Sequence, residues 1–260
     1  MIDKIKITAK NGNNYPFNLS LFQKDIELEV NRPVTIILGE NGSGKSSLLK
    51  LLQAKLSLVE IQIPDKFQEK TIDSKSVSLT PSLGRLKGFF FESLTFINYI
   101  EYIIKEIEES KENISRVEKE YKNKSDYSKM MAKSPYSKSI NELSNMYEKD
   151  LSKSSHGEAY LDFFSSRIKD NQLYILDEPE TPLSTQNQLT LMAMIIEATK
   201  RGAQFIIATH SPILAAIPDA IIYEIRNDSF KRTEYDNVES ISLLKQFLNN
   251  KEQFIRYFND

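Results

Sequence analysis

The run Gly39-Glu40-Asn41-Gly42-Ser43-Gly44-Lys45-Ser46, with Ser47 behind it, constrains this chain more than any other stretch. It fits the pattern G-x-x-x-x-G-K-[ST], the Walker A loop. Its flanks fit as well. Val34-Thr35-Ile36-Ile37-Leu38 is an apolar, β-rich segment that predicts a buried parallel strand. Ser47-Leu48-Leu49-Lys50-Leu51-Leu52 opens a helix with leucines on one face. A strand, a glycine-rich turn and a helix start aim successive backbone N–H groups at one point, where the helix dipole adds roughly half a positive charge. Gly39, Gly42 and Gly44 leave room for the backbone to approach an anion. The expectation is a nucleotide site: Asn41 and Ser43 complete the cradle with Ser47 behind it. Lys45 reaches the β- and γ-phosphates of ATP, and Ser46 sets its hydroxyl on Mg²⁺.

Composition sets the outer bounds. With 260 residues and 40% hydrophobic content, the chain is long enough for one large α/β domain or a core with a helical subdomain. A net charge of −2 argues against wholesale coating of nucleic acid but allows a local basic face. The chain has no cysteine, which rules out disulfides and thiolate metal sites. Met1-Ile2-Asp3-Lys4-Ile5-Lys6-Ile7 lacks the apolar core of a signal peptide, and no apolar run approaches the roughly 20 residues of a membrane span. A soluble, cytoplasmic protein without membrane insertion is expected.

Ahead of the loop, Ile5 and Ile7, then Phe17, Leu19 and Leu21, then Ile26, Leu28 and Val30 alternate with polar residues and predict half-buried antiparallel strands. Tyr15 or Phe17 is placed to stack on an adenine, although strand core is the commoner fate of such residues. Ile61-Gln62-Ile63-Pro64 and the polar stretch to Ser82 carry no clear assignment. Gly88 to Ser93 reads as an aromatic strand that ends in the carboxylate Glu92. Thr95 to Lys122 is helical, with Ile100, Ile103, Ile107, Ile114, Val117 and Tyr121 in a seam that Ser110 breaks. At about three heptads it is too short for a long coiled-coil arm, and bundle packing is favoured over a partner helix. Lys122 to Lys153 is rich in Lys and Ser and interrupted by Pro135, which suggests a solvated surface; a weak nucleic-acid patch is the alternative. Further strands are expected at 173–176, 204–208 and 220–225. Helices are expected at 188–200 and 240–258, with Gly202 as a helix C-cap.

Leu173-Tyr174-Ile175-Leu176-Asp177-Glu178-Pro179-Glu180 is a Walker B pattern, a buried strand delivering carboxylates at the edge where α/β sheets bind ligands. Asp177 would hold Mg²⁺, mostly through water, and Glu178 would polarise the attacking water. Ala208-Thr209-His210-Ser211-Pro212 follows the next strand. A histidine at a strand end is ordinarily a surface residue, but beside the Walker B strand it could meet the γ-phosphate. Ser154-Ser155-His156-Gly157-Glu158 opens another helix and makes a second anion-binding N-terminus.

The order Walker A, Ser-x-Gly-Glu before a helix, Asp-Glu-Pro, Thr-His-Ser-Pro resembles the ABC-type ATPase superfamily. More closely, G-E-N-G-S-G-K-S, S-H-G-E, L-D-E-P-E and A-T-H-S-P-I-L are similar to small stand-alone bacterial AAA-family ATPases with an SMC- or ABC-like head. The resemblance runs from about Tyr15 to the C-terminal helix and is weakest over 94–153. It implies an α/β P-loop NTPase with an ABC-type core sheet, an N-terminal antiparallel β-subdomain and an inserted helical subdomain at about 94–165, within one domain of 1–260. It also implies a homodimer around two ATP molecules, with Ser155 and Gly157 facing the γ-phosphate of the partner copy. His156 and Glu158 depart from the commoner Ser-Gly-Gly-Gln form, which puts the detail of those contacts in doubt. Thr181-Pro182-Leu183-Ser184 falls where a D-loop would cross the interface, and Glu92 falls at the Q-loop position as a candidate metal ligand beside Ser46 and Asp177. The interval from Lys45 to Ser155 leaves room for a helical subdomain but not for a long hinged arm.

Three functions compete at this level. One is an ATP-hydrolysing dimeric switch serving a nucleic-acid-related or antiviral defence system through a nuclease or toxin partner. The second is the nucleotide-binding subunit of an ABC transporter. The third is an ATP-responsive binding module in which hydrolysis matters little; Glu178 and His210 together argue against it.

Overall fold

The computed structural model describes residues 1–9, 14–60, 72–81, 86–144 and 156–256. Ile61 to Pro64, Ser154, Ser155 and the end of the chain after Arg256 lie outside the described residues.

In chain order the elements are β1 (Lys4–Ile7), a 3₁₀ turn (Ser20–Gln23), β2 (Ile26–Glu29), β3 (Val34–Gly39), α1 (Lys45–Leu56), β4 (Val59–Glu60) and β5 (Val77–Thr80). Then come β6 (Gly88–Glu92), α2 (Ser93–Glu120), α3 (Asp126–Ser144), α4 (His156–Arg167), β7 (Leu173–Asp177) and α5 (Thr185–Lys200). The rest is β8 (Gln204–Ala208), α6 (Pro212–Ala215), β9 (Ile221–Arg226), β10 (Ser229–Thr233), a 3₁₀ turn (Tyr235–Asn237), α7 (Glu239–Asn249) and α8 (Lys251–Arg256).

A seven-stranded sheet in the order β10-β9-β3-β8-β7-β6-β4 carries the site. All of its neighbours run parallel except the β9–β10 hairpin at one edge. The central strands are buried along their whole length because both faces are covered. Alternate residues of a strand serve opposite layers. Ile36, Leu38, Tyr174, Leu176, Phe205 and Ile207 pack with α2, α4 and α5. Ile37, Ile175, Ile206 and Ala208 pack with the leucines of α1 and with the small sheet β2-β1-β5. That division explains why the sequence shows unbroken apolar runs where a half-buried strand would alternate.

Gln204, at the start of β8, ties the two sheets together. Its buried amide accepts from Ile2 N at 2.8 Å and donates to the carbonyls of Ile2 and Val30, both at 2.7 Å. Gly88 opens β6 against β7 so tightly that a Cβ there would lie 1.7 Å from the Leu173 carbonyl oxygen.

Several sequence expectations change in the folded chain. Phe17, Leu19 and Leu21 form no strand; they lie in a turn that runs into the 3₁₀ segment Ser20–Gln23. This arrangement buries Phe17, Leu21 and Phe22 together and lays Leu21 against the loop at Gly44. Alternation alone does not distinguish that outcome from a strand, and the third strand of the small sheet is β5, from the stretch that carried no assignment. Pro135 does not interrupt the Lys-rich region, because α3 passes through it and packs along α2. The seam of α2 is buried at Ile100, Ile103 and Ile107, and Ser110 is buried with it rather than breaking it. Ile114 and Val117, farther out, are only half-buried. The final helix divides at Asn250 into α7 and α8, and β10 was not anticipated at all.

Candidate nucleotide site

The topology brings four segments to the C-terminal edge of the sheet: the β3–α1 loop, the ends of β6 and β7, and the turn after β8. In the first, Gly42 and Gly44 take φ of +80° and +98°, a region that favours glycine, and the backbone curls around the entry to α1. A Cβ on Gly44 would also stand 2.8 Å from Leu21 Cδ2, so that position excludes side chains twice over. Gly39, at the end of β3, has Ser43 Oγ 2.8 Å from where its Cβ would be. Asn41 and Gly42 are exposed at the tip, and Ser47 is buried on the first turn of α1.

Lys45 is the first residue of α1 and is only 4% exposed. Its ammonium donates to the carbonyls of Gly39 at 2.9 Å and Glu40 at 3.0 Å, which uses two of its three N–H groups. Burial pulls its pKa down, and the carboxylates of Glu178, Asp177 and Glu180 oppose that pull. A desolvated cation with a donor to spare is a place for an anion.

Asp177 ends β7 and is 3% exposed. Burial pushes its carboxyl up to about 6, helped by Glu92 and Glu178, while a hydrogen bond from Ser46 and the charge of Lys50 act the other way. Its Oδ1 is buried with no protein partner, as is Ser43 Oγ. Orphaned oxygens of this kind are costly unless something fills them. The residues present therefore fit the groups the pattern implies: Ser46 and Asp177 would hold Mg²⁺, and the loop with Lys45 would hold the phosphates. Among the described residues no group of three or more His, Cys, Asp or Glu could form a metal cage.

Glu92 stands opposite Asp177 in the β6–β7 register. Its carboxylate, however, is held by Lys50 at 2.8 Å and accepts from Thr95 Oγ1 at 2.6 Å. It is an ion-paired neighbour of Asp177 whose charge still helps to raise that carboxyl. Tyr15 is half-exposed and its hydroxyl meets Ser47 Oγ at 3.0 Å beside the loop, whereas Phe17 is sealed in the core. Of the two candidates for a base-stacking ring, only Tyr15 has a face open to solvent.

Glu178 and His210 come from neighbouring strand ends, since β7 and β8 pair in parallel through Asp177 and Ala208. His210 Nε2 lies 3.4 Å from Glu178 Oε1, and both side chains are part-exposed at the mouth of the site. Two features that sequence reading missed hold this pair. Glu178 has φ of +49°, rare for a residue with a side chain. Glu180 accepts through Oε1 from the backbone N–H of His210 at 2.6 Å and of Ser211 at 3.1 Å. Ser211 in turn caps α6 and bonds Gln188 at 2.7 Å. The only sequence trace of these links is the Pro179-Glu180 pair after the Walker B carboxylates.

The helix α4 begins at His156, and Ser155 lies outside the described residues. Gly157 is buried beneath the Thr181 to Leu183 turn, where a Cβ would meet Asn187 Nδ2 at 2.8 Å. The candidate D-loop therefore packs on the start of α4 within the same chain.

Comparison with known proteins agrees with this geometry. The model of the RecF/RecN/SMC N-terminal domain family matches residues 17–228. A Caldanaerobacter subterraneus protein provisionally named an ABC transporter ATP-binding protein is 26% identical over 242 residues, 89% of either chain. A Pyrococcus furiosus protein with the same provisional description is 27% identical over 188 residues, 72% of this chain and 67% of its own. The ADP conformation of an ATP-binding cassette of an ABC transporter superposes with a TM-score of 0.50 at 14% identity over 100% of both chains, a likeness that concerns the fold alone. The chain belongs to the RecF/RecN/SMC N-terminal domain family and is a member of the ABC-type ATPase superfamily.

Proposed function

We propose that this chain binds ATP with Mg²⁺ and hydrolyses it, with Glu178 orienting the attacking water and His210 holding the γ-phosphate. The observation that carries this reading is the Glu178–His210 pair, 3.4 Å apart, one residue beyond the buried and partly orphaned Asp177. Phosphoryl transfer passes through a loose transition state, so catalysis is mostly positioning and charge stabilisation. Lys45 and the N–H groups of the loop grip the phosphates. Ser46 and Asp177 would hold Mg²⁺, which would supply positive charge to offset that of the phosphates. Glu178 accepts a hydrogen bond from the water and aims it, while His210 donates to the γ-phosphate and registers its loss. Glu180 keeps the His210 backbone in place. On this reading Glu178→Gln retains ATP binding and lowers single-turnover hydrolysis by about 10² or more. His210→Ala slows hydrolysis and weakens ATP more than ADP. Wild-type turnover by Glu178→Gln would place the base elsewhere.

The superfamily likeness supports the further reading that two copies close around ATP, with Ser155 and Gly157 of one copy over the phosphates of the other. The client is a separate matter. A nucleic-acid or antiviral defence role with a nuclease or toxin partner rests on the sequence resemblance. The Lys-rich helix adds little to it, since Lys129, Lys133 and Lys138 face Asp126, Glu118 and Glu142 at 3.5, 2.6 and 3.7 Å. The transporter-subunit reading is favoured by the names of the two relatives. No helix among the described residues is long and apolar enough to cross a membrane. Steady-state hydrolysis with and without duplex DNA or RNA separates these roles. Stimulation by nucleic acid supports the first, and indifference to it together with co-purification of a permease supports the second.

A further inference from the structure

The side chain of Glu178 faces His210 at the mouth of the site, and its carbonyl is held from behind. The carbonyl accepts from Thr181 N and Thr181 Oγ1, both at 3.1 Å, and from Ser93 Oγ in a short hydrogen bond. Ser93 is the first residue of α2, directly after Glu92, and is 2% exposed. Its hydroxyl lies 2.6 Å from that of Tyr160 on α4. Tyr160 is 1% exposed and its ring packs edge-on to Phe91 and Phe96 at centroid distances of 5.1 and 4.8 Å.

Chemistry fixes the direction of this chain of bonds. A carbonyl only accepts, so the one hydrogen of Ser93 goes to Glu178 O. The Ser93–Tyr160 bond then takes its hydrogen from the tyrosine. Burial raises the phenol pKa far above its usual value, so that hydrogen is present at any working pH. Two buried hydroxyls thus run one way, from α4 through the start of α2 to the backbone of Glu178. They end on a residue whose left-handed φ of +49° needs support from its surroundings.

We infer that Ser93 and Tyr160 are positioning residues for hydrolysis: they pin the left-handed turn at Glu178 to α4, so that the aim of its carboxylate depends on how α4 is seated. This inference rests on the proposed role of Glu178. It goes further by naming what holds that residue and by linking it to the helix that begins at His156 and Gly157. Both residues are buried, and each acts through the Glu178 backbone.

The test uses the full chain with Tyr160→Phe, which removes one oxygen and keeps the ring, with Ser93→Ala, and with both together. Each is made in the wild-type and Glu178→Gln backgrounds, and melting temperature, ATP affinity and single-turnover hydrolysis are measured. Each single variant is expected to keep ATP affinity within about twofold and to hydrolyse about tenfold more slowly, the effect of one or two lost hydrogen bonds on a positioned group. The double variant should lose no more than the worse single, because the bonds act in series. In Glu178→Gln neither change should slow the residual reaction further. If Tyr160→Phe does not fold, Ser93→Ala carries the test alone. Wild-type rates in the folded variants, or an undiminished further loss in Glu178→Gln, would overturn the inference. If Glu178→Gln itself turned over at the wild-type rate, the functional reading would fall, and this inference with it.

Discussion

At the scale of single residues, Asp177 is a carboxylate under tension. Burial, above all, pushes the carboxyl of Asp177 up to about 6 in the folded chain, against an ordinary value of 3.8. Between those values the folded state carries the extra proton, so the contribution of this group to stability is full below about pH 4 and is lost as the pH rises through 6. A shift of this size corresponds to a cost of up to about 3 kcal/mol at neutral pH. Asp177→Asn should therefore raise the urea midpoint of the metal-free protein at pH 7.5 and change it little at pH 4. A midpoint lowered equally at both values would refute this account. With ATP and Mg²⁺ added at pH 7.5 the order should reverse, because the cation stabilises only the wild-type carboxylate. Next door, Lys50 pairs with Glu92 and Thr95 donates to it, which limits how far that second carboxylate pushes Asp177 up.

At the scale of elements, β6 is held to β7 by a glycine with no substitute. The absent side chain of Gly88 is what lets the strand pass the Leu173 carbonyl, and its φ of +144° is unusual for any other residue. Gly88→Ala has no flexible neighbour to displace, only backbone. It should cost about 3 kcal/mol or more, at the severe end of point mutations. Because β6 delivers Glu92 and Ser93, the same change should slow hydrolysis; a urea midpoint and rate both within error of wild type would count against it. The hairpin α2–α3 shows the opposite balance. A proline inside a helix costs about 3 kcal/mol in isolation, yet α3 runs through Pro135. It lies along α2 with Lys133 bonded to Glu118 across the pair at 2.6 Å, so packing outweighs local propensity.

At the scale of the whole molecule, the phosphate loop and the start of α4 are separate features of one chain, and the proposed hydrolysis joins two chains to complete the site. Glu178→Gln with ATP and Mg²⁺ should accumulate a species of twice the monomer mass in light scattering, and the same protein with ADP should not. A mass unaffected by ATP across protein concentrations would argue for a site complete in one copy. The outer face of α7 leaves Leu243, Leu244, Phe247 and Leu248 part-exposed, so scattering without nucleotide is the control for association through that face.

The ATPase class, the nucleotide loop and the carboxylate edge were legible in the sequence by itself because each is written in contiguous residues. Gly39 to Ser47 dictates its own turn, and Leu173 to Asp177 its own burial. Ala208 to Pro212 needs only the next strand to come near. The parallel pairing of β3, β8 and β7 fits strands that are covered on both faces, while their order is a property of the folded sheet. Only the tertiary structure decided what surrounds those residues. Lys50 with Glu92, Glu180 with the backbone of His210, and Tyr160 with Ser93 and the carbonyl of Glu178 join groups far apart in the chain. The 3₁₀ segment at Ser20–Gln23, where alternation suggested a strand, belongs with them, since Leu21 is set by its contact with Gly44. A hydrogen bond between distant residues leaves no period and no motif, because nothing in the local backbone energy of either partner depends on the other until the chain has folded.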